Sequence, residues 1–341
     1  MLTSYQEAES AGASRRGRLL KVFLLLVIAA TVIVAMICTY LVQPLVFPIT
    51  RAESGSSVDP ARLEAHVRAL CERFGPRDVE HPQNLDRCAE YIRAELELAG
   101  GRVSDQPFER DGVTYRNIVA SFGPESGEIV VVGAHYDTAG PRPGADDNAS
   151  GVAGLIELAG LLGRSELTSR VELVAYTLEE PPVFRSGQMG SAVHARSLAE
   201  KGTQVRIMIG LEMIGYFSDA PDSQRYPIGA LGVFYPSTGN FISVVGRVGG
   251  GNLVRTVKRA MTSSSPLPVY SINAPSFVPG IDFSDHLNYW NEGFPAVMVS
   301  DTSFYRNRMY HTIDDTPDTL DYRRMSHVVV GVHAAVVELA R

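Results

Sequence analysis

The stretch Ile129-Val130-Val131-Val132-Gly133-Ala134-His135-Tyr136-Asp137 decides the fold. Its first six residues are small or apolar without alternation and rich in β-branched side chains, which suits a strand buried on both faces of a mostly parallel sheet. His135 and Asp137 then fall at its C-terminal edge. Val171 to Leu178 (VELVAYTL) repeats the pattern and runs directly into Glu179-Glu180, and Ile207 to Leu211 repeats it once more and ends on Glu212. In an open α/β sheet the carboxyl ends of the strands line the ligand crevice. Three apolar runs that each end in acids or histidine therefore predict a single site.

Outward from these runs, the 341 residues, 45% hydrophobic and 20% charged, are enough for one large domain or two small ones with a sizeable core. The net charge of −7, with no basic run outside the N-terminus, gives no electrostatic case for nucleic acid. Residues 22–42 (VFLLLVIAATVIVAMICTYLV) carry no charge and are long enough to cross a hydrocarbon core of roughly 30 Å as a helix. Arg15, Arg16, Arg18 and Lys21 precede the stretch, and Gln43-Pro44 and bulky residues follow it in place of a small-residue cleavage pattern. An uncleaved anchor is expected, with residues 1–21 as a cytoplasmic tail and the body of the chain outside the cytoplasm. Residues 43–60 read as a linker, ending in the small, polar stretch TRAESGSSVDP. The folded domain is expected over 61–341, opening with amphipathic helices over Ala61–Arg73 and Leu85–Leu98. Cys71 and Cys88 fall within those helices at a separation unlike a short zinc-binding pair, and the sequence leaves open whether they are bridged or free.

The loop Gly144-Ala145-Asp146-Asp147-Asn148-Ala149-Ser150-Gly151 precedes an apolar helical stretch, Val152–Leu162, which Asn148 or Ser150 can cap. Taken alone, Asp146-Asp147-Asn148 is a capping turn. Its place shortly after His135-Tyr136-Asp137 changes the balance. The adjacent acids Glu179-Glu180 at the end of an apolar strand need a neutralising cation. With one acid on a metal, its neighbour can face the bound water as a general base. His135, Asp137, Asp146, Glu179, Glu180, Glu212 and His311 together read as a two-metal centre.

In this order, His135-Tyr136-Asp137, Ala145 to Gly151, Glu179-Glu180, Glu212-Met213-Ile214-Gly215 and Tyr310-His311-Thr312 with Asp315-Thr316 resemble the di-zinc aminopeptidase family. The same superfamily holds glutamate carboxypeptidase II, glutaminyl cyclases and the transferrin receptor. The resemblance spans about residue 61 to the C-terminus. It implies a three-layer α/β/α sandwich with a mixed, mostly parallel central sheet, preceded here by one transmembrane helix. It implies two zinc ions bridged by Asp146, one completed by His135 and Glu212 and the other by Glu180 and His311. Glu179 would be the general base, and Asp137 would hydrogen-bond the ring of His135 and fix its tautomer. A cis peptide beside the bridging acid is also implied. Three ligand carboxylates against two Zn²⁺ leave room for one hydroxide. One departure is visible: many relatives carry Asp where this chain has Glu212, so that ligand reaches one methylene further.

The implied activity is removal of N-terminal residues from peptides, with a peptide substrate and the membrane as partners and an extracytoplasmic, single-pass location. A cyclase-like acyl transfer on the same scaffold is the alternative, and a receptor-like domain would require eroded ligands. Ser284-Asp285-His286 resembles a segment that lies near the substrate in relatives, which makes His286 a candidate substrate-binding residue beside structural packing. Tyr310, next to His311, is a second candidate. Residues 216–280, rich in Pro, Gly and Ser, are expected to be loops that shape the substrate pocket.

Overall fold

The computed structural model describes residues 18–34, 36, 42–44, 46–47 and 56–341. Residues 18–34 are helical and expose apolar side chains from Leu19 to Val34. Residues 35 and 37–41 of the expected span lie outside the described residues. Among those described, no helix is long and apolar enough to cross a membrane.

One eight-stranded sheet organises the described chain. The strands are β1 (Arg102–Arg110), β2 (Val113–Phe122), β3 (Ile129–His135), β4 (Arg170–Tyr176), β5 (Val205–Leu211), β6 (Ile242–Arg247), β7 (Val269–Ala274) and β8 (Ala296–Ser300). Their spatial order is β1-β2-β4-β3-β5-β8-β6-β7. The run β4-β3-β5-β8 is parallel and so is β6 with β7, while β1, β2 and the β6–β8 junction are antiparallel. Every residue of β3 is buried, as its continuous apolar run requires. Because β4, β3 and β5 are parallel neighbours, with His135 opposite Tyr176 and Gly133 opposite Gly210, their carboxyl ends reach the same edge of the sheet.

Helices cover both faces. Alternate strand residues, such as Val130, Val132, Ile207, Ile209, Val244 and Val299, join one core. Over that core lie α1 (Pro60–Arg68, continued as a π-turn to Arg73), α2 (Pro82–Leu98), α3 (Gly151–Leu162), α5 (Gly251–Ser264) and α7 (Tyr322–Leu339). The opposite face, with Val131, Met208, Val245 and Met298, packs on the shorter α4 (Gly190–Glu200) and α6 (His286–Asn291).

Two expectations change, and one open point closes. The strand over 171–178 stops at Tyr176, and Leu178 turns with a positive φ of 60°, so Glu179 begins three residues beyond the strand instead of directly after it. Residues 216–280 are not loop throughout: β6, α5 and β7 form a β-α-β unit within them. Those strands have six residues each and are flanked by Gly, Ser and Pro, so composition hid them. Cys71 and Cys88 are free thiols, which burial pushes up to about 11 and about 12.

Candidate metal centre

The cluster forms where the edges of β3 and β5 meet the loops after β4, before α3 and before α7. His135 ends β3 with its ring almost wholly buried. Its Nδ1 faces the main-chain carbonyl of Asp137 at 3.2 Å and the Asp137 carboxylate at 3.5 Å, which leaves Nε2 directed into the cluster. Asp137 does a second task, since its two oxygens accept the backbone N–H groups of Glu179 and Glu180 at 3.0 and 3.1 Å. One carboxylate thereby aims a histidine and both following acids. Arg77, fully buried, donates to the carbonyls of Tyr136, Leu70 and Gly144 and pins the two loops together.

Asp147, not Asp146, stands at the centre. Its Oδ1 lies 3.3 Å from His135 Nε2 and its Oδ2 lies 3.0 Å from His311 Nε2. Glu212 approaches His135 Nε2 at 3.4 Å, and Glu180 approaches His311 Nε2 at 3.2 Å. Three sets of donors, His135/Asp147/Glu212, Asp147/Glu180/His311 and His135/Glu179/Glu180, each keep their atoms within 4.8 Å of one another, and the first two share Asp147. Asp146 is turned away, with its oxygens occupied by the Gly215 N–H at 3.0 Å and the Asn307 side-chain amide at 2.9 Å. This corrects the expectation that Asp146 bridges the metals. The cis peptide lies between Asp147 and Asn148.

The loop is held in that phase by its neighbours. Asp315 accepts the N–H groups of Asp146 and Asp147 at 3.0 and 3.1 Å. Asn148 donates to Leu211 O and accepts from Gly151 N and Met213 N, tying the start of α3 to the end of β5. Glu212 receives the Ser284 hydroxyl at 2.7 Å, a role the sequence reading did not give to that serine. The longer Glu212 side chain therefore reaches the cluster with the Ser284 hydroxyl on Oε2, the same oxygen that faces His135.

Of the two substrate candidates, only Tyr310 reaches the cavity, where its ring stacks on His311 at 3.8 Å. His286 does not. It is fully buried behind β5, bonded to Ile281 O at 2.7 Å and packed edge-on against Trp290, and burial pushes it down to about 4.

The electrostatics call for cations. Burial first, then neighbouring negative charge, holds Glu179 well above the carboxylate range and pushes Glu180 up to about 8. Burial likewise raises Glu212. Asp147 alone goes down, because hydrogen bonds from His135 and His311 outweigh its burial. The same carboxylates outweigh the burial of His311 and raise it to about 10. Four carboxylates around two imidazole nitrogens have oxygen and nitrogen donors of the kind zinc takes, and divalent cations would replace the protons they otherwise hold. The donor set fits.

The match to the model of peptidase family M28 covers residues 117–336, so the strand ends and loops just described all lie within it. The chain belongs to peptidase family M28. It is 52% identical to the uncharacterized protein YfbL of Escherichia coli K12, over 80% of this chain and 86% of that protein. Two solved structures share the fold. The LapA aminopeptidase of Legionella pneumophila superposes with a TM-score of 0.67 at 20% identity, over 83% of this chain and 72% of that one. A glutaminyl cyclase from Fimbriiglobus ruber superposes at 0.64 and 20% identity, over 87% and 100%. A peptidase and a cyclase are thus equally near in architecture, and side chains must separate the two readings.

Proposed function

We propose that the chain is a zinc-dependent aminopeptidase, a hydrolase of N-terminal peptide bonds that binds two zinc ions. The observation that carries this reading is the Asp147 carboxylate, with one oxygen toward His135 and the other toward His311. His135, Asp147 and Glu212 would hold one ion, and Asp147, Glu180 and His311 the other. Bound zinc would supply Lewis-acid activation of water and of the scissile carbonyl. Glu179 is the general base. Its Oε2 lies 4.0 Å from His135 Nε2, beside the two donor sets, and burial raises its proton affinity. Similarity to the probable leucine aminopeptidase of Arthroderma otae, 29% identical over 63% of this chain and 55% of that protein, favours an exopeptidase acting at the amino end. Two complete donor sets favour hydrolysis over the cyclase reading, in which one ion is expected. The stretch 22–42 is proposed as the anchor that places this domain at a membrane, outside the cytoplasm.

The test is metal counting combined with one substitution. Wild-type protein should hold two zinc ions per chain, release amino acids from peptides and lose activity to a chelator. Glu179→Gln should keep both ions while kcat falls by about 10²–10⁴. Full turnover in that variant, or one ion with release of a cyclised product, would overturn the assignment.

A further inference from the structure

The cavity that opens at Asp147, Glu179, Glu180 and Glu212 does not end beside them. It encloses ≈ 280 Å³ and continues along the sheet to Val245 on β6 and Ile272 on β7. Met298, Val245 and Ile272 are cross-strand neighbours in register and form one apolar row on the face opposite α5 and α7. Here loops and short 3-10 turns replace the helical cover, and Tyr226, Leu231, Tyr235, Ile281, Phe283 and Phe304 line the cavity. The strand order β5-β8-β6-β7 places Ile272 three strands from the end of β5, where Glu212 sits. At 4.7–4.9 Å per strand that is about 14 Å. A leucine or phenylalanine side chain covers only part of this length.

The wall is mostly apolar, with Gln224, Thr302, Ser303 and several tyrosines among its lining. Apart from the metal-centre residues, Arg225 is the charged residue lining the cavity, and it lies at the exposed rim. Ser243 and Ser300, which face each other across β6 and β8, are the small polar groups of the floor, and the Ser300 hydroxyl already accepts from Thr302 N. A second peptide unit lying along the Met298–Val245–Ile272 row would bring N–H and C=O groups that these side chains leave unpaired, and the hydroxyls of Tyr226, Tyr235 and Tyr305 are already donated to main-chain carbonyls. An unbranched hydrocarbon brings none.

We infer that the residue on the amine side of the scissile bond carries an extended apolar chain, a long alkyl or lipid-modified side chain that lies along the Met298–Val245–Ile272 row. At about 1.25 Å per methylene, from a C–C bond near 1.5 Å, roughly ten carbons would span the distance. The inference rests on the aminopeptidase reading and extends it to a substrate class.

The test uses the full-length, zinc-loaded protein with 4-nitroanilides of leucine, norleucine, 2-aminooctanoic acid and 2-aminododecanoic acid, each below its micelle concentration. Each buried methylene contributes about 0.8 kcal/mol, so kcat/KM should rise about fourfold per carbon beyond norleucine. A plateau or decline beginning at norleucine overturns the inference while leaving the peptidase intact. Failure to cleave any of the four compounds overturns the peptidase reading itself. Ile272→Trp, which fills the far end on an edge strand, should bring the ratio of 2-aminododecanoyl to 2-aminooctanoyl turnover to one or below. An unchanged ratio in a variant that still cleaves norleucine removes the chain from this row. If Ile272→Trp does not fold, the wild-type chain-length profile decides alone.

Discussion

The two ends of the cavity are built by opposite means. At the metal end, position is set by short, specific bonds: Asp137 under Glu179 and Glu180, Asp315 under Asp146 and Asp147, and Ser284 on Glu212. At the other end, Met298, Val245 and Ile272 present a plain apolar floor, and polar contacts such as Tyr226 to Pro236 O and Tyr235 to Ser271 O hold the roof and leave that floor bare. Charge must be placed to a fraction of an ångström because unpaired buried charge is costly, whereas apolar burial needs only area. Chemistry should therefore fail from single substitutions at the first end, and selectivity should drift from those at the second.

The largest expected effect tests the phase of the loop before α3. Asp147→Asn removes the carboxylate shared by both donor sets, and zinc affinity should fall by more than the roughly 10–100-fold typical of outer partners. Asp146→Asn should keep both ions, since its oxygens serve Gly215 and Asn307 instead. Zinc content measured on the two purified variants decides between them. The reverse pattern would restore Asp146 as the bridging acid.

That pair also marks the limit of what the sequence reveals. The ends of β3 and β5 were legible because continuous β-branched runs stop at His135 and Glu212, and parallel neighbours must finish at one edge. Which of two adjacent aspartates faces the centre was not legible. That choice is made by Asp315 and Gly215, which are distant in the chain and grip the loop from outside. The unit β6-α5-β7 was missed for the related reason that its strands are short and its Gly- and Pro-rich flanks dominate the composition. His286 illustrates the opposite error. A motif-bearing residue packs behind the sheet while its neighbour Ser284 makes the contact.

Asp137→Asn is the next step down. One oxygen becomes an amide donor facing two backbone donors, so the peptide carrying Glu179 and Glu180 loses a partner. Zinc affinity or kcat/KM should drop about 10–100-fold. A change below twofold would mean that the loop after β4 holds itself.

The side of the sheet shared with the apolar row should tolerate polar groups only when they are neutral, and His194 tests this. It is buried beside Tyr289, whose hydroxyl is 2.6 Å from Nδ1, with Tyr176 and Glu172 nearby, and burial pushes it down to about 3. The unfolded chain then binds a proton below about pH 6.5 that the folded chain refuses. Stability is full above that pH and is lost as the pH falls toward 3, by about 2 kcal/mol between pH 7 and pH 5. Denaturant unfolding at the two values should show this loss in the wild type and its absence in His194→Gln. Equal losses in both would show that the ring is charged in the folded state.

The smallest effect concerns the ligand that departs from the family pattern. Glu212 is one methylene longer than aspartate, so its carboxylate has an extra rotor to fix, and the Ser284 hydroxyl at 2.7 Å fixes it through Oε2, the oxygen that faces His135. Ser284→Ala leaves both donor sets complete but frees that rotor. The His135/Asp147/Glu212 site should weaken by about tenfold, the low end for an outer partner, while the Asp147/Glu180/His311 site keeps its affinity. A zinc titration resolving two steps should show one step move and the other stay. If both move together, the shared Asp147 couples the sites strongly enough that the longer ligand cannot be treated as a property of one of them.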